Sequence, residues 1–257
     1  MLRAWLAAGL AGTLVAGAAA AQTDSTAPQP TVARLGKPSR PPDARGRSIL
    51  AEAGRQGGIK ILVSTEDRWL WLVRGRDTLM SLPVAVGMGR SFEYEGRQFW
   101  FETPRGRRKV LRKEPNPLWN VPEWHYLERA AALGYGVVPM DSTTKYMLSD
   151  SSFIMMMGGA AGRLNQLGNF WPFTPGLEIM FDGMVFIPPA GTPQRLVPDA
   201  LGPFKLDTGQ GYLIHGTHPY NEDSVGEAVS HGCVRMRNAD LEVFYRQVPV
   251  GTPVFIF

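Results

Sequence analysis

From Ile59 onward, short apolar runs alternate with charged or glycine-bearing breaks, the spacing expected of strands joined by turns. IKILVS (59–64), RWLWLV (68–73) and TLMSLPVAV (78–86) come first, and further candidate strands lie at 98–102, 107–113, 184–187, 204–207, 212–215 and 253–257. RWLWLV is apolar on both faces, which predicts a strand buried within a sandwich rather than half wetted. Helical patterns are few. Residues 48–56 read as a short helix capped by Ser48 and stopped by Gly57-Gly58. A second covers 124–133, and a third covers 238–247, with Asn238 as cap and Leu241, Phe244 and Tyr245 on one face. No internal repeat is visible. The pattern predicts a mainly β fold, a sandwich or barrel with a few short helices.

One stretch departs from this rhythm. Residues 123–183 contain Met155-Met156-Met157, Gly158-Gly159 and Phe170-Trp171-Pro172-Phe173. Two readings stand side by side: an inserted subregion with its own small core, or a lid whose Met and aromatic side chains offer an adaptable apolar surface over a groove.

The first 58 residues divide differently. Met1-Leu2-Arg3, an apolar run from Ala4 to Ala21 and the small residues before Gln22 are the parts of a secretory signal peptide over 1–21. The alternative is an uncleaved anchor, and the protein meets a membrane only in that case. Residues 22–48, with five prolines among Ser, Thr, Gln and Arg, read as a flexible linker. A short helix at 49–58 leads into the folded unit over 59–257. The expected location is the periplasm or cell envelope.

Charge sharpens the picture. The net charge of +4 comes from Arg3 and the linker, and residues 49–257 balance at 21 basic and 21 acidic side chains. A balanced folded unit argues against a nucleic-acid partner, which needs a concentrated basic face.

Candidate chemistry centres on Cys233, the single cysteine of the chain. A lone thiol sent to an oxidising compartment is either buried and inert or a working nucleophile. Three of the four histidines, His215, His218 and His231, lie within 18 residues of it. Imidazole is the usual base that makes a thiolate at neutral pH. Gly232 permits a tight turn that could aim the Gly232 and Cys233 amides at an attacked carbonyl as an oxyanion hole. Arg235, two residues on, shares a strand face with Cys233 and suits a substrate carboxylate. His215, His218, His231 and Cys233 are also zinc donor types, so a His/Cys zinc-binding protein without transferase chemistry is the competing reading. Spacing alone does not choose between His215 and His231 as base.

The stretch His215-Gly216-Thr217, followed after fourteen residues (216–229 inclusive) by Ser230-His231-Gly232-Cys233 and then Val234-Arg235-Met236-Arg237-Asn238-Ala239-Asp240, resembles the signature of the L,D-transpeptidase family of peptidoglycan-modifying enzymes. Residues 59–87, Thr103-Pro104-Arg105-Gly106, Lys113-Glu114-Pro115-Asn116-Pro117 and Leu201-Gly202-Pro203 extend the likeness, and 123–183 is the main departure. The resemblance implies a β-sandwich cysteine acyltransferase that uses no cofactor and no metal and is a target of carbapenems. Cys233 would attack the bond between the L-centre of the third stem residue and the terminal D-Ala of a donor tetrapeptide. D-Ala would leave, and an amine from a second stem, an envelope protein or a free D-amino acid would take the acyl group, giving in the first case a 3→3 cross-link. His215 would act as base, oriented by the Gly216 carbonyl. Ser230, His231, Gly232 and Arg235 would shape the pocket and bind substrate. Net hydrolysis, an L,D-carboxypeptidase activity, is the enzymatic alternative.

Overall fold

The structure is a computed structural model that describes residues 41–257. The 1–21 leader and most of the 22–48 linker lie outside the described residues.

Two sheets carry the fold. The first has five strands, in spatial order Asp77–Pro83, Trp69–Arg74, Ile59–Ser64, Pro253–Ile256 and Gly106–Lys109. The second has four: Val234–Arg235, Leu213–His215, Phe204–Asp207 and Arg112–Pro115. Ile61, Val63, Leu70, Leu72, Val254 and Ile256 of the first sheet pack against Leu206, Ile214, Val234 and Met236 of the second. Helix Asn238–Gln247 adds Leu241 and Phe244 to the same core. The period-two alternation of these strands makes that interface, and each such buried aliphatic side chain stabilises it by roughly 1.5–3 kcal/mol. The fold is the expected mainly β sandwich.

The two apolar faces of RWLWLV are both covered, although by different layers. Leu70 and Leu72 enter the sandwich core, while Trp71 and Val73 pack with Phe255 and Phe257 against Ile49 and Ala53 of a helix on the outer face. That helix, α1, spans Ala44–Arg55 and so begins earlier than residues 48–56 suggested. The reason is its cap. Asp43 accepts the Gly46 N–H at 2.7 Å and is gripped by Arg105 at 2.5 and 2.8 Å, so a carboxylate held at the helix N-terminus displaces Ser48 from that role.

The single strand expected at 107–113 is two strands in different sheets. The chain crosses from one sheet to the other at Val110-Leu111. The Val110 N–H donates to Thr252 O at 2.9 Å in the first sheet's territory, and the Leu111 N–H to Asp207 O at 2.7 Å in the second's.

Residues 123–183 build cores of their own. Helix α2, Glu123–Leu133, ends at Gly134, whose φ of +67° closes it in the left-handed conformation. Its Tyr126, Leu127 and Ala130 pack on Val185 and Ile187. Beyond it, Gly136–Pro139 runs parallel to Met184–Ile187, and a four-stranded antiparallel sheet follows over residues 145–172. Met140, Leu148, Ile154, Ala161, Ile179 and Phe186 form the second cluster. Two buried polar side chains fasten this segment. The Arg195 guanidinium donates to the carbonyls of Val121 and Pro188, and Gln194 bridges the Ala161 N–H and the Phe173 carbonyl.

Candidate active site

The second sheet aligns its side chains in rows. In register, Glu114 lies opposite Lys205, Lys205 opposite His215, and His215 opposite Arg235, so one row crosses all four strands. Ile214, Val234 and Met236 point into the core. Alternation therefore turns His215 and Arg235 to the outer face, and Cys233, two residues before Arg235, to that face with them. Parallel pairing of two short strands that are distant in sequence thus puts His215 beside Arg235 and on the sheet face that Cys233 shares.

The turn before Cys233 is clamped from inside. The Ser230 side chain is fully buried, and its hydroxyl donates to the Cys233 carbonyl at 2.6 Å while accepting the Gly232 N–H at 3.1 Å. Thr103 donates to the Gly232 carbonyl at 2.9 Å and accepts the Gly87 N–H at 2.8 Å. Gly232 has φ +131°, and a Cβ there would lie 2.8 Å from the Tyr212 ring. Ser230 and Gly232 thus make the turn, and the Gly232 amide, assigned to an oxyanion hole in the sequence reading, is already engaged. The thiol, half-buried, sits 3.9 Å from the Gly211 carbonyl.

A second clamp holds the other strand end. Asn238, expected as a helix cap, is the first residue of helix α3 (Asn238–Gln247), and Arg237 occupies the cap position. The Asn238 side chain instead accepts the Thr217 N–H at 3.0 Å and donates to the Thr217 carbonyl at 2.9 Å. Gly216 must be glycine for this approach, since a Cβ would stand 2.2 Å from Asn238 Oδ1. Two backbone-directed amide bonds satisfy Asn238 better than one bond within its own helix. Neither Asn238 nor Thr103 was named as a site residue; each lies in a stretch quoted for the resemblance, and only tertiary pairing shows its purpose.

The electrostatics favour neutral partners. His215 is 4% exposed and its Nδ1 has no hydrogen-bond partner among the described residues. Burial, together with the Arg235 and Lys205 charges, pushes its pKa down to about 3, opposed only by the Gly216 backbone. Burial also raises the Cys233 thiol above its usual range, while the Leu213 backbone and Arg235 pull it back. At neutral pH the resting pair is thiol and neutral imidazole. Arg235 is half-buried, and its guanidinium makes no hydrogen bond or ion pair among the described residues. A desolvated cation without a counter-ion beside the thiol is a ready seat for a carboxylate.

His231 sits differently. Its Nε2 lies 2.9 Å from Glu128 Oε2 of α2, and its ring stacks on Trp124 at 4.1 Å and meets the edge of Phe101 at 4.4 Å. His218 accepts the Tyr220 N–H at the start of a 3-10 turn, and His125 pairs with Glu178. Among the described residues no three His, Cys, Asp or Glu side chains converge in a way that could hold a metal ion, so the four-ligand zinc arrangement drawn from sequence spacing is not formed.

Three comparisons bear on the chain as a whole. The family model described as the L,D-transpeptidase catalytic domain matches residues 58–256. Among curated relatives, the probable L,D-transpeptidase YbiS of Escherichia coli is 46% identical over 54 residues, covering 21% of this chain and 17% of its own. The probable L,D-transpeptidase ErfK/SrfK of Salmonella typhimurium is 35% identical over 109 residues, covering 36% and 35%. The chain thus spans about a third or less of the length of these relatives. Among solved structures, an L,D-transpeptidase from Xylanimonas cellulosilytica is 17% identical with a TM-score of 0.38, over 79% of this chain and 62% of that one. L,D-transpeptidase 3 from Mycobacterium tuberculosis, in complex with a faropenem-derived adduct, is 14% identical with a TM-score of 0.40, over 77% and 60%. With the family model spanning both sheets and the whole Ser230–Arg235 turn, the chain belongs to the L,D-transpeptidase catalytic-domain family.

Proposed function

We propose that this protein is an exported peptidoglycan L,D-transpeptidase with Cys233 as nucleophile and His215 as base. The observation that carries the reading is the register of His215 with Arg235, whose guanidinium makes no hydrogen bond or ion pair among the described residues, and strand alternation supports adding Cys233 to that face. A donor stem enters with its terminal carboxylate on Arg235. Neutral His215 takes the thiol proton as sulfur attacks the carbonyl carbon at the L-centre of the third stem residue. The Cys233 amide is the backbone donor for the oxyanion, because the Gly232 amide is held by Ser230. Collapse breaks the C–N bond, His215 returns the proton to the departing amine, and D-Ala leaves a thioester. An amine from a second stem, an envelope protein or a free D-amino acid then forms the new C–N bond, and the thiol is regenerated with the amine's proton. The Gly216 carbonyl orients and partly stabilises the charged imidazole during each transfer. No cofactor enters any step.

The test is intact mass spectrometry of the purified protein after exposure to a carbapenem, with Cys233→Ala as control, followed by incubation with tetrapeptide stems. A single adduct on Cys233 and a stem dimer lacking one D-Ala support the reading. Release of tripeptide alone assigns an L,D-carboxypeptidase. An unmodified protein that turns over no stem overturns the acyl-transfer proposal.

A further inference from the structure

Helix α2 presents two faces with different partners. Tyr126, Leu127 and Ala130 are spent on the core of the inserted segment, whereas Trp124 and Glu128, one helical turn apart, both meet His231. His231 lies in the turn that carries Cys233, only two residues before the nucleophile. We propose that Glu128 is a positioning residue for the transfer reaction: it holds His231 with its proton on Nε2 and, with Trp124, fixes the imidazole against α2, so that the inserted segment supplies one wall of the catalytic site. This rests on the acyl-transfer reading above.

The chemistry follows from what surrounds the ring. Glu128 and His125 face it from α2, Arg235 from the sheet, and Phe101 from the hairpin Arg90–Tyr94 and Arg97–Phe101. Burial, Arg235 and His125 disfavour the charged ring and outweigh Glu128, so His231 is neutral at neutral pH. A neutral imidazole has one N–H, and a carboxylate 2.9 Å from Nε2 claims it. Nδ1 is thereby an acceptor. The two polar groups flanking Cys233 are then complementary: Arg235 receives carboxylate oxygen, and His231 receives an N–H, the group that every amide and amine of a peptide acceptor carries. Stacking at 4.1 Å with an interplanar angle of 19° leaves the ring little freedom to turn away.

Nitrogen-15 NMR of histidine-labelled full chain reads the tautomer without reference to activity. At pH 7 the wild type should show Nε2 protonated and Nδ1 bare. Glu128→Gln keeps an acceptor oxygen and should keep that tautomer, whereas Glu128→Ala should give a mixture. In parallel, KM for an amine acceptor should rise about three- to ten-fold in Glu128→Ala, as the accepting tautomer and the fixed ring orientation are both lost, and Glu128→Gln should recover most of it. An unchanged tautomer in Glu128→Ala, or an unchanged acceptor KM, overturns the positioning role. If even the wild type is never acylated, the acyl-transfer reading fails, while the NMR arm still reports whether Glu128 sets the tautomer.

Discussion

His215 and His231 flank the same cysteine, and the fold treats them in opposite ways. His215 is sealed into a row between Lys205 and Arg235, and among the described residues its Nδ1 is unpartnered and no carboxylate steadies its charge. His231 is gripped by a carboxylate, stacked on an indole and partly open to solvent, with 23% of its side chain exposed. The first arrangement makes a ring that is costly to protonate and therefore quick to give a proton up. The second makes a ring whose orientation is set but whose proton is not free to move. The comparison teaches that two histidines which spacing to one cysteine cannot separate are separated by their partners, and the proposed roles of base and recognition element follow that difference.

The predictions attack that contrast from its strongest side downward. Cys233→Ala should remove acylation altogether, with a thermal midpoint within a few degrees of wild type because the half-buried thiol makes only weak contacts with the Gly211 and Leu213 backbone. Any carbapenem adduct on the variant would break the assignment of the nucleophile. His215→Gln should lower the acylation rate about 10²–10⁴-fold, as loss of a general base does, and a stopped-flow trace within ten-fold of wild type would hand the base role elsewhere. Arg235→Ala should raise KM for a stem ending in a carboxylate about ten-fold or more while leaving kcat nearer to wild type. A stem with an amidated terminus should lose most of that difference, and equal losses with both stems would remove the carboxylate from the argument.

A smaller effect concerns pH and stability. The folded pKa of His215 lies below its unfolded value of 6.5, at about 3. The unfolded chain therefore binds the proton first as the solution is acidified. The stabilisation is complete above about pH 6.5 and declines as pH falls from there toward 3. Urea midpoints at pH 7 and pH 5 should drop for the wild type and drop less for His215→Gln. Identical drops would mean that the ring is not neutral and buried in solution. Finally, Asn238→Ala should cost about 1–3 kcal/mol through the two bonds to Thr217 and should slow acylation by displacing His215. A denaturation curve that does not move would show that the strand end holds itself.

Much of this was legible in the chain. The period-two runs at 59–64 and 204–207 reappear as strands with the same bounds, because their apolar positions face one shared core. That Cys233 and Arg235 share a face was readable from strand alternation, while the roles proposed for them and for His215 rest on the resemblance. What sequence could not supply came from distant pairing. Ser48 was the better local cap, yet Asp43 prevails because Arg105, 62 residues away, reaches it. Asn238 belongs to the site only because residue 217 comes beside it. Glu128 looked like any exposed helical carboxylate, and its meaning depends on an imidazole 103 positions further along.

The inserted segment leaves and rejoins the domain through two parallel strands, Gly136–Pro139 and Met184–Ile187, so the chain exits at one end of the pair and returns at the other. Such a pairing demands a crossover long enough to run back the length of a strand, and the residues between the two strands supply it. Residues 140–178 are in that sense a bridge with a minimum length: a replacement in the course of evolution, or by an engineer, must still span that return and refill the core around Ile179 and Phe186, while α2 stays packed on Val185 and Ile187. A change in that stretch of gene leaves the codons for His215, Cys233 and Arg235 untouched.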